Sequence, residues 1–323
     1  MKGRQYAFVC SLLGIILMLY PLVASRYQVF LFIQAMIYAV FCTSYYLLLG
    51  QTGLLSFGHA AYFGIGAYST ALCLIHFPTC PVLISIFIGS MSGLLAGLII
   101  GAFLVRLSKI YLALGTLAFS QLIWAVAWKW RPVTGGDDGL TGWTYRKIAL
   151  PLLGPFTINN ITFLYYVIVP FAVIAIWICW LFIRTPLGNT LASIRVNQGR
   201  AQFLGINVYL AKFIVFGFSA FIAALSGSMH SILVKMVTPR IVDIYASFDV
   251  VIMSILGGYS RFLGPIIGSF VYVFLQEYLA MLTSRWQLIM GGVFTLIVLF
   301  CPNGLMQLAE VFSKKMRSAL REG

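Results

Sequence analysis

The sequence is dominated by long apolar runs, which are separated by short polar segments or by glycine and proline. A helix needs about 20 apolar residues to cross the hydrocarbon core of a bilayer, and most of these runs are close to that length. The run at 245–258 is shorter, so we expect it to be broken or re-entrant. The ten candidate crossings are 6–24, 28–49, 54–76, 81–105, 110–130, 162–183, 212–235, 245–258, 262–283 and 286–301.

Composition places the chain outside the soluble classes. Hydrophobic residues make up 61% of the 323 residues and charged residues only 9%, whereas a soluble domain has about 45–50% apolar and about 25% charged residues. So little charge excludes a water-soluble enzyme, a disordered chain and a disulfide-stapled secreted domain. The sequence predicts an all-α polytopic membrane protein with about 8–10 transmembrane helices, formed by 1–323 as a single domain.

The basic residues indicate how the chain is oriented. The sequence has 21 Lys and Arg against 7 Asp and Glu, and loops on the cytoplasmic side of a membrane are enriched in Lys and Arg. Alternation from a cytoplasmic N-terminus puts 184–211 and the tail 302–323 inside and 131–161 outside, with more basic residues inside. Both termini are therefore predicted to be cytoplasmic. Because the positive charge serves orientation, nucleic acid is not an expected partner.

Two segments resemble each other, which suggests an internal repeat. Aligned without gaps, 56–69 and 247–260 share five of fourteen residues, and they lie five crossings apart, so they run in opposite directions. Two inverted five-helix halves with glycine-interrupted segments at corresponding places point to a transporter pathway. Close helix packing at glycines is the alternative, and the sequence leaves both open. The candidate pathway residues are Gly53, Ser56, Gly58, His59, Gly64, Gly66, Tyr68, Asp249, Gly257 and Gly258.

Few residues in the sequence are candidates for catalysis or for ion coupling. A Ser56–His59 dyad has no acid nearby, so catalysis is not expected, and His59 either packs between helices or lines a cavity. Glu277 and Asp249 lie within predicted crossings, where ionisable side chains are functional candidates by default. A single carboxylate without a second acid nearby is weak evidence for a proton relay. We therefore expect the energy for any transport to come from another chain.

The six cysteines form no C-x-x-C pair. Most of them are expected to pack as small apolar residues. Cys73 and Cys80 flank one predicted helix end, and they could form a disulfide on an oxidising side of the membrane.

The predicted inner loop, 184–211, carries a second candidate site. Apolar residues recur at helical spacing over 187–195, and a helix-permissive stretch continues to Gly205. A short amphipathic cytoplasmic helix can insert into a groove of a partner protein. It can also lie flat on the inner leaflet, with Arg195 and Arg200 meeting lipid phosphates, and the residues support both interpretations equally. The candidate contact residues are Gly188, Arg195, Asn197, Arg200, Ala201 and Gly205.

Several motifs resemble those of a known family. Residues 50–68, GQTGLLSFGHAAYFGIGAY, resemble the signature of the permeases of branched-chain amino-acid ABC importers, in particular their LivM-type subunit. The outer TGGDDGL at 134–140 is similar to that subunit's T-G-G-x-D-G-L, and 195–208 resembles its coupling segment. ILGG with the following GPxxG, and PNGL at 302–305, also fit. The resemblance covers about 28–305, with several motifs in the same order.

This resemblance implies a permease subunit for branched-chain or related amino acids in the bacterial inner membrane. It implies a periplasmic binding protein, a second related permease subunit and two cytoplasmic ATPases, which would bind ATP and Mg. The chain itself is then expected to be no enzyme and to hold no cofactor or metal. By the resemblance, 188–205 would dock the ATPase and 50–68 would line the pathway. The outer residues that would contact the binding protein are Gly135, Gly136, Asp137, Asp138 and Gly139.

The coupling segment departs from the family pattern. Val196 and Gln198 stand where the family usually has acids, and Asn189 replaces a usual Arg. Docking is still expected, with a different charge pattern and an open choice of ATPase partner. The same machinery carrying urea, amides or another small solute is an alternative. A passive channel or an ion-coupled carrier is the alternative from another class.

Overall fold

A computed structural model describes residues 17–107, 109–143, 148–150, 154–156, 161–300 and 304–306. The helices are α1 (17–23), α2 (Arg26–Tyr46), α3 (His59–His76), α4 (Val82–Leu104), α5 (Lys109–Lys129), α6 (Arg131–Thr134), α7 (Ile161–Arg184), α8 (Pro186–Val196), α9 (Gln198–Phe203), α10 (Val208–Val234), α11 (Ile244–Gly257), α12 (Leu263–Leu282) and α13 (Trp286–Phe300). The strands are β1 (Leu140–Thr141), β2 (Ile148–Leu150), β3 (Gly154–Phe156) and β4 (Met236–Val237). A π-helical turn (Leu47–Thr52) continues α2, and 3₁₀ turns cover Gly136–Asp138 and Pro239–Val242.

The predicted all-α polytopic class is confirmed. Within the described residues, six helical segments are long and apolar enough to cross a membrane, and α11 and α13 are shorter apolar helices. The six are Arg26–Thr52, Val82–Leu104, Ile110–Lys129, Ile161–Arg184, Val208–Val234 and Leu263–Leu282. Most of the predicted crossing 6–24 and most of the tail 302–323 lie outside the described residues.

Helix α2 lies at the centre of the bundle. It begins at a capping box, in which Ser25 Oγ accepts from Gln28 N (3.3 Å) and Gln28 Oε1 accepts from Ser25 N (3.0 Å). Its sequence is apolar on all sides, as is typical of a helix that is buried all round. It packs against α7, α10, α11 and α12. Helix α2 is therefore the central helix of the bundle, and α11, which carries candidate site residues, is one of the helices that pack around it.

Glycines bring α4 directly against α10. A Cβ at Gly93 would fall on the Cβ of Ala224, and a Cβ at Gly97 would fall on the Cβ of Ala220. A glycine stands at every fourth position of α4 from 89 to 101, so a whole face of the helix lacks side chains. Small residues at such spacing let helix backbones approach closely in a membrane. Helix packing thus accounts for these glycines.

The run at 54–76 forms a shorter helix than its apolar length predicts. Residues 53–58 are not helical, and α3 begins only after them. Gly53 ends the π-helical turn in a left-handed conformation, with φ +69°. Gly58 then passes so close to the backbone carbonyl of Thr116 on α5 that a Cβ would collide with it. Helix α11 is short as expected, with 14 residues.

The first turns of α3 and α11 meet inside the bundle. The Ala60 amide donates to Ser247 Oγ over 3.2 Å, and a Cβ at Gly64 would fall on Val242. Val242 lies in the 3₁₀ turn before α11, so the start of α3 contacts both this turn and the first turn of α11. The ungapped alignment, however, pairs a non-helical segment before α3 with residues inside α11. The inverted repeat stays a prediction.

Contacts between the connecting segments sort them into two ends of the bundle. At one end, Arg195 of α8 lies against Gly50 and over the ring of Tyr259. At the other end, β1 pairs antiparallel with β4. This agrees with the predicted alternation, which separates 184–211 from 131–161. We call the first the inner end, although its cytoplasmic location stays a prediction.

Candidate functional site

The segment predicted as an inner loop is folded into two short helices, α8 and α9. Thr185 Oγ1 begins α8 by accepting from Gly188 N over 3.3 Å, and Pro186 occupies the first turn, where a missing N–H is tolerated. Asn197 ends α8 in an extended conformation and begins α9, because its Oδ1 accepts from Arg200 N over 3.0 Å. The sequence predicted a single helix here. The cap at Asn197 is the reason that there are two.

A Schellman motif ends α9 at Gly205, which has φ +81°. The Gly205 amide donates to Gln202 O over 2.9 Å, and the next amide donates to Ala201 O over 3.1 Å. Lys212 of α10 donates to Gln198 Oε1 over 2.9 Å. Gly205 is therefore a helix-terminating residue, and α9 is tied to a membrane-spanning helix.

Three apolar side chains on this pair of helices are strongly exposed. Val196 is 86% exposed, Phe203 is 94% exposed and Leu204 is 81% exposed. We call these three residues the α8–α9 patch. Of the three, the sequence singled out only Val196, as a departure from the family pattern, although apolar residues on a short helix between two crossings were a visible signal. Strongly exposed apolar side chains outside the membrane spans are typical of a protein contact surface.

Arg195 points the other way, toward the bundle. Its guanidinium donates to the backbone carbonyl of Gly50 and lies 5.8 Å from the ring centroid of Tyr259. A Cβ at Gly53 would lie 3.3 Å from the Arg195 Cγ. Gly50 belongs to the π-helical turn that leads directly into the non-helical segment 53–58. The two candidate sites, predicted separately from the sequence, are therefore in direct contact.

His59 is completely buried at the start of α3. Ser44 Oγ lies 2.8 Å from its Nε2, and the rings of Phe41 and Tyr45 lie 5.5 and 5.4 Å from its ring centroid. Within the described residues, Ser56 Oγ and His59 Nδ1 have no hydrogen-bond partner. Ser56 and His59 thus do not form a hydrogen-bonded dyad. The contacts of His59 are those of a residue packed between helices.

Most of the candidate pathway residues are buried at helix contacts. A Cβ at Gly66 would fall on the backbone carbonyl of Ala224, and a Cβ at Gly257 would fall on that of Gly264. Their role in lining a pathway stays a prediction, because tight packing already accounts for the glycines. The buried candidates are Ser56, Gly58, His59, Gly64, Gly66, Tyr68, Gly257 and Gly258.

Asp249 and Glu277 each accept a hydrogen bond from a tyrosine. The Tyr272 hydroxyl on α12 donates to Asp249 Oδ1 on α11 over 2.6 Å, and Tyr27 on α2 donates to Glu277 Oε1 on α12. Both acids are partly exposed. In the part of the chain that the structure describes, no group of three or more His, Cys, Asp or Glu could hold a metal ion.

The outer TGGDDGL motif forms a tight turn. Gly135, Gly136 and Gly139 have φ of +76°, +61° and +70°, which side chains other than glycine rarely adopt. Asp137 and Asp138 are exposed at its tip. The pairing of β1 with β4 fixes this turn to the connection between α10 and α11. The glycines therefore shape the turn, and the two carboxylates are the groups that another protein could contact.

Known proteins resemble the chain over most of its length. A family described as "Branched-chain amino acid transport system / permease component" matches residues 27–300. The high-affinity branched-chain amino acid transport system permease protein LivM of Salmonella typhimurium is 24% identical over 99% of this chain and 79% of its own length. The LivM protein of Escherichia coli is 25% identical over 95% of this chain and 76% of its own length. The ribose import permease protein RbsC of Haemophilus influenzae is 25% identical over 74% of this chain and 73% of its own length. No solved structure matches the chain.

Proposed function

Because this chain belongs to the family of branched-chain amino acid transport system permease components, we propose that it forms the membrane pathway of an ABC importer for branched-chain or related amino acids. The match over 27–300 carries the proposal, since it extends from the second residue of α2 to the last residue of α13. The LivM relatives, which align with nearly the whole chain, support branched-chain amino acids as the solute.

The α8–α9 patch is proposed to dock a cytoplasmic ATPase. Its three apolar side chains stand outside the membrane spans, and burying them against a partner would remove apolar surface from water, worth about 1.5–3 kcal/mol for each large side chain. Two such ATPases, which bind ATP and Mg, would serve this chain and a second related permease subunit. The chain itself would act as a transport subunit without an ATPase site.

Arg195 is proposed to transmit the movement of the docked ATPase to the pathway. It joins α8 to the π-helical turn through Gly50, and that turn leads into the non-helical segment 53–58. A rigid shift of α8 would therefore pull directly on backbone that is held by few intrahelical hydrogen bonds. Such a joint is where a conformational change can be absorbed.

The outer turn is proposed to receive the periplasmic binding protein. Asp137 and Asp138 are exposed on a rigid, glycine-shaped turn, so they are preorganised for a basic partner surface. This assignment places the α8–α9 patch in the cytoplasm, both termini in the cytoplasm and the protein in the bacterial inner membrane.

Reconstitution tests the proposal. The chain, its partner permease, the ATPases and the binding protein are placed in proteoliposomes, and uptake of radiolabelled leucine is measured with and without ATP. We expect uptake only with ATP and all components. Leucine uptake that persists without the ATPases would contradict the proposal. A passive channel or an ion-coupled carrier would also keep its flux after deletion of 188–205, whereas an ABC permease would lose it.

Other small solutes are the second candidate function. The similarity to the ribose import permease protein RbsC supports a solute other than a branched-chain amino acid as the alternative. Urea, short amides and ribose are therefore tested beside leucine, each by binding to the cognate binding protein and by uptake. ATP-dependent uptake of one of these solutes without uptake of leucine would keep the ABC permease and replace its solute.

A further inference from the structure

One face of α11 combines exposed aromatic side chains with a partly buried acidic residue. Tyr245 and Phe248 on this face are 73% and 39% exposed, and Asp249 and Ile252 are partly exposed. Spacings of three, four and seven residues place all four on one side of the helix. We call these four residues the α11 face.

Asp249 lies near the middle of the membrane. Its carboxylate accepts from Tyr272 over 2.6 Å, and Tyr272 is the tenth of the 20 residues of α12. A helix of 20 residues is about 30 Å long, which is the thickness of the hydrocarbon core. Tyr38, near the middle of Arg26–Thr52, lies within electrostatic range of the same carboxylate. Two neighbours thus place Asp249 at the same depth.

A carboxylate at this depth does not face lipid. Exposing an acidic side chain to hydrocarbon at a helix centre is costly, so such groups face a bundle interior or a water-filled cavity. The bundle of this chain encloses Asp249 only in part, because the residue is partly exposed although its hydrogen-bond donor Tyr272 is buried. What remains is a water-filled space beside the α11 face, which a second subunit would close.

We propose that the α11 face lines the solute pathway and that Asp249 binds the ammonium group of the amino acid in transit. The identity of the cargo rests on the proposed function, whereas the placement of the face does not. A carboxylate and an ammonium group form a charge-assisted hydrogen bond. Oδ1 accepts from Tyr272, and a carboxylate has further acceptor sites for a cation.

The surroundings of Asp249 suit a cation that carries an apolar chain. The ring of Phe248, the residue before Asp249, lies 5.4 Å from the ring of Phe57 in the non-helical segment 53–58. Aromatic faces attract cations through the ring quadrupole. Ile252, one turn further along, adds an apolar contact. An ammonium group and an aliphatic side chain would both have partners here.

A cysteine at position 252 tests whether the α11 face meets water. The assembled transporter is reconstituted without its native cysteines, and the rate of reaction with N-ethylmaleimide is measured. Because this reagent reacts with the thiolate, which forms only where water is present, Ile252→Cys should react much faster than Leu95→Cys. Leu95 is a matched control, since it is 61% exposed on the strongly apolar α4. Equally slow reaction at both positions would overturn the pathway assignment.

Protection of Ile252→Cys tests the ammonium assignment. 3-Methylbutylamine has the ammonium group of leucine without its carboxylate, and 4-methylpentanoate has only the carboxylate. We expect the amine to slow the reaction and the acid to leave it unchanged. In an Asp249→Asn background the amine should protect about tenfold less well, because a bond between two charged groups is lost. Equal protection by both compounds, or amine protection that survives in Asp249→Asn, would overturn the assignment.

Two controls distinguish a role of Asp249 in cation binding from a role of Glu277 and from a loss of ATPase binding. Glu277→Gln removes the other intramembrane acid and should leave the protection by the amine unchanged. Asp249→Asn should still bind the ATPases in a pull-down, because Asp249 lies on α11 and is not part of the α8–α9 patch. Leucine uptake by the parent transporter is measured in the same vesicles. If the unmutated transporter carries ribose or urea and not leucine, the proposal of a branched-chain amino acid as the solute is wrong. Protection by the amine then still tests whether Asp249 binds a cation.

Discussion

Arg195 on α8 donates a hydrogen bond to the backbone carbonyl of Gly50, in the π-helical turn that continues α2. This contact joins a helix outside the membrane spans to the entrance of a non-helical segment within the bundle. A carbonyl in a π-helical turn is displaced from the regular α-helical ladder, so a side-chain donor can satisfy it. One arginine therefore connects the proposed docking element to the proposed pathway element.

Replacement of this arginine should uncouple transport from ATP hydrolysis. We expect Arg195→Ala to lower leucine uptake roughly tenfold while the ATPases still assemble, since coupling energies of single positions reach about 2 kcal/mol. Uptake in proteoliposomes and a pull-down with the ATPases are measured together. Arg184→Ala is the matched control, because Arg184 lies over the ring of Trp180 in its own helix, α7. A weakened pull-down for Arg195→Ala would place Arg195 in the docking surface, as the sequence alone predicts.

The α8–α9 patch should carry the docking energy. We expect Phe203→Asp to weaken binding of the ATPases by about 2 kcal/mol, the size of a hot-spot residue at a protein interface. Affinity is measured by titrating purified ATPase onto the permease in detergent. Gln202→Asp adds the same charge at the neighbouring exposed position and should have a much smaller effect. If the two variants bind equally well, the patch does not contact the ATPase, and contact with the lipid surface becomes the better explanation.

Close packing at Gly66 should set the stability of the bundle. A Cβ there would collide with the backbone carbonyl of Ala224 on α10, which cannot rotate away. We expect Gly66→Ala to destabilise the protein by about 1–3 kcal/mol, as overpacking does in a tight core. Thermal unfolding in detergent measures this effect.

Gly292 supplies the control for that substitution. It also lies inside a helix, and a Cβ at this position meets nothing within 4 Å. Gly292→Ala should therefore stabilise α13 by about 0.5–1 kcal/mol, since alanine loses less backbone entropy than glycine. If Gly66→Ala keeps the melting temperature and loses uptake, Gly66 lines the pathway and does not serve packing.

The positions of the membrane-spanning helices could be predicted from the sequence because the apolar runs are long and clearly interrupted. The interruption at 53–58 could not be located, because Leu54, Leu55 and Phe57 continue the apolar pattern. The helix is broken there by backbone events, the left-handed Gly53 and the close approach of Gly58 to Thr116. Hydropathy does not register either of them.

The sequence predicted which segments form the candidate site, but it did not predict which residues of those segments are exposed or where their side chains point. Sequence reasoning named Arg195 as a contact for another protein, whereas the structure turns its guanidinium toward Gly50. The direction of a side chain on a short helix depends on where the helix begins, and that is decided here by the caps at Thr185 and Asn197. Phe203, the most exposed residue of the patch, gave no motif and became visible only through its exposure.

Cys73 and Cys80 should form a disulfide under mild oxidation. Cys73 lies in the last turn of α3 and Cys80 in the connection to α4, with their Sγ atoms 3.8 Å apart, at the end of the bundle predicted to face the periplasm, where disulfides form. Closing this short loop should stabilise the protein by about 2 kcal/mol through the unfolded state. Oxidation with copper phenanthroline, followed by alkylation and intact mass measurement, should show two fewer reactive thiols. Cys80→Ser should abolish this difference, whereas Cys179→Ser, at a buried cysteine on α7, should leave it in place. If both thiols are alkylated after oxidation, the pair remains reduced and serves packing alone.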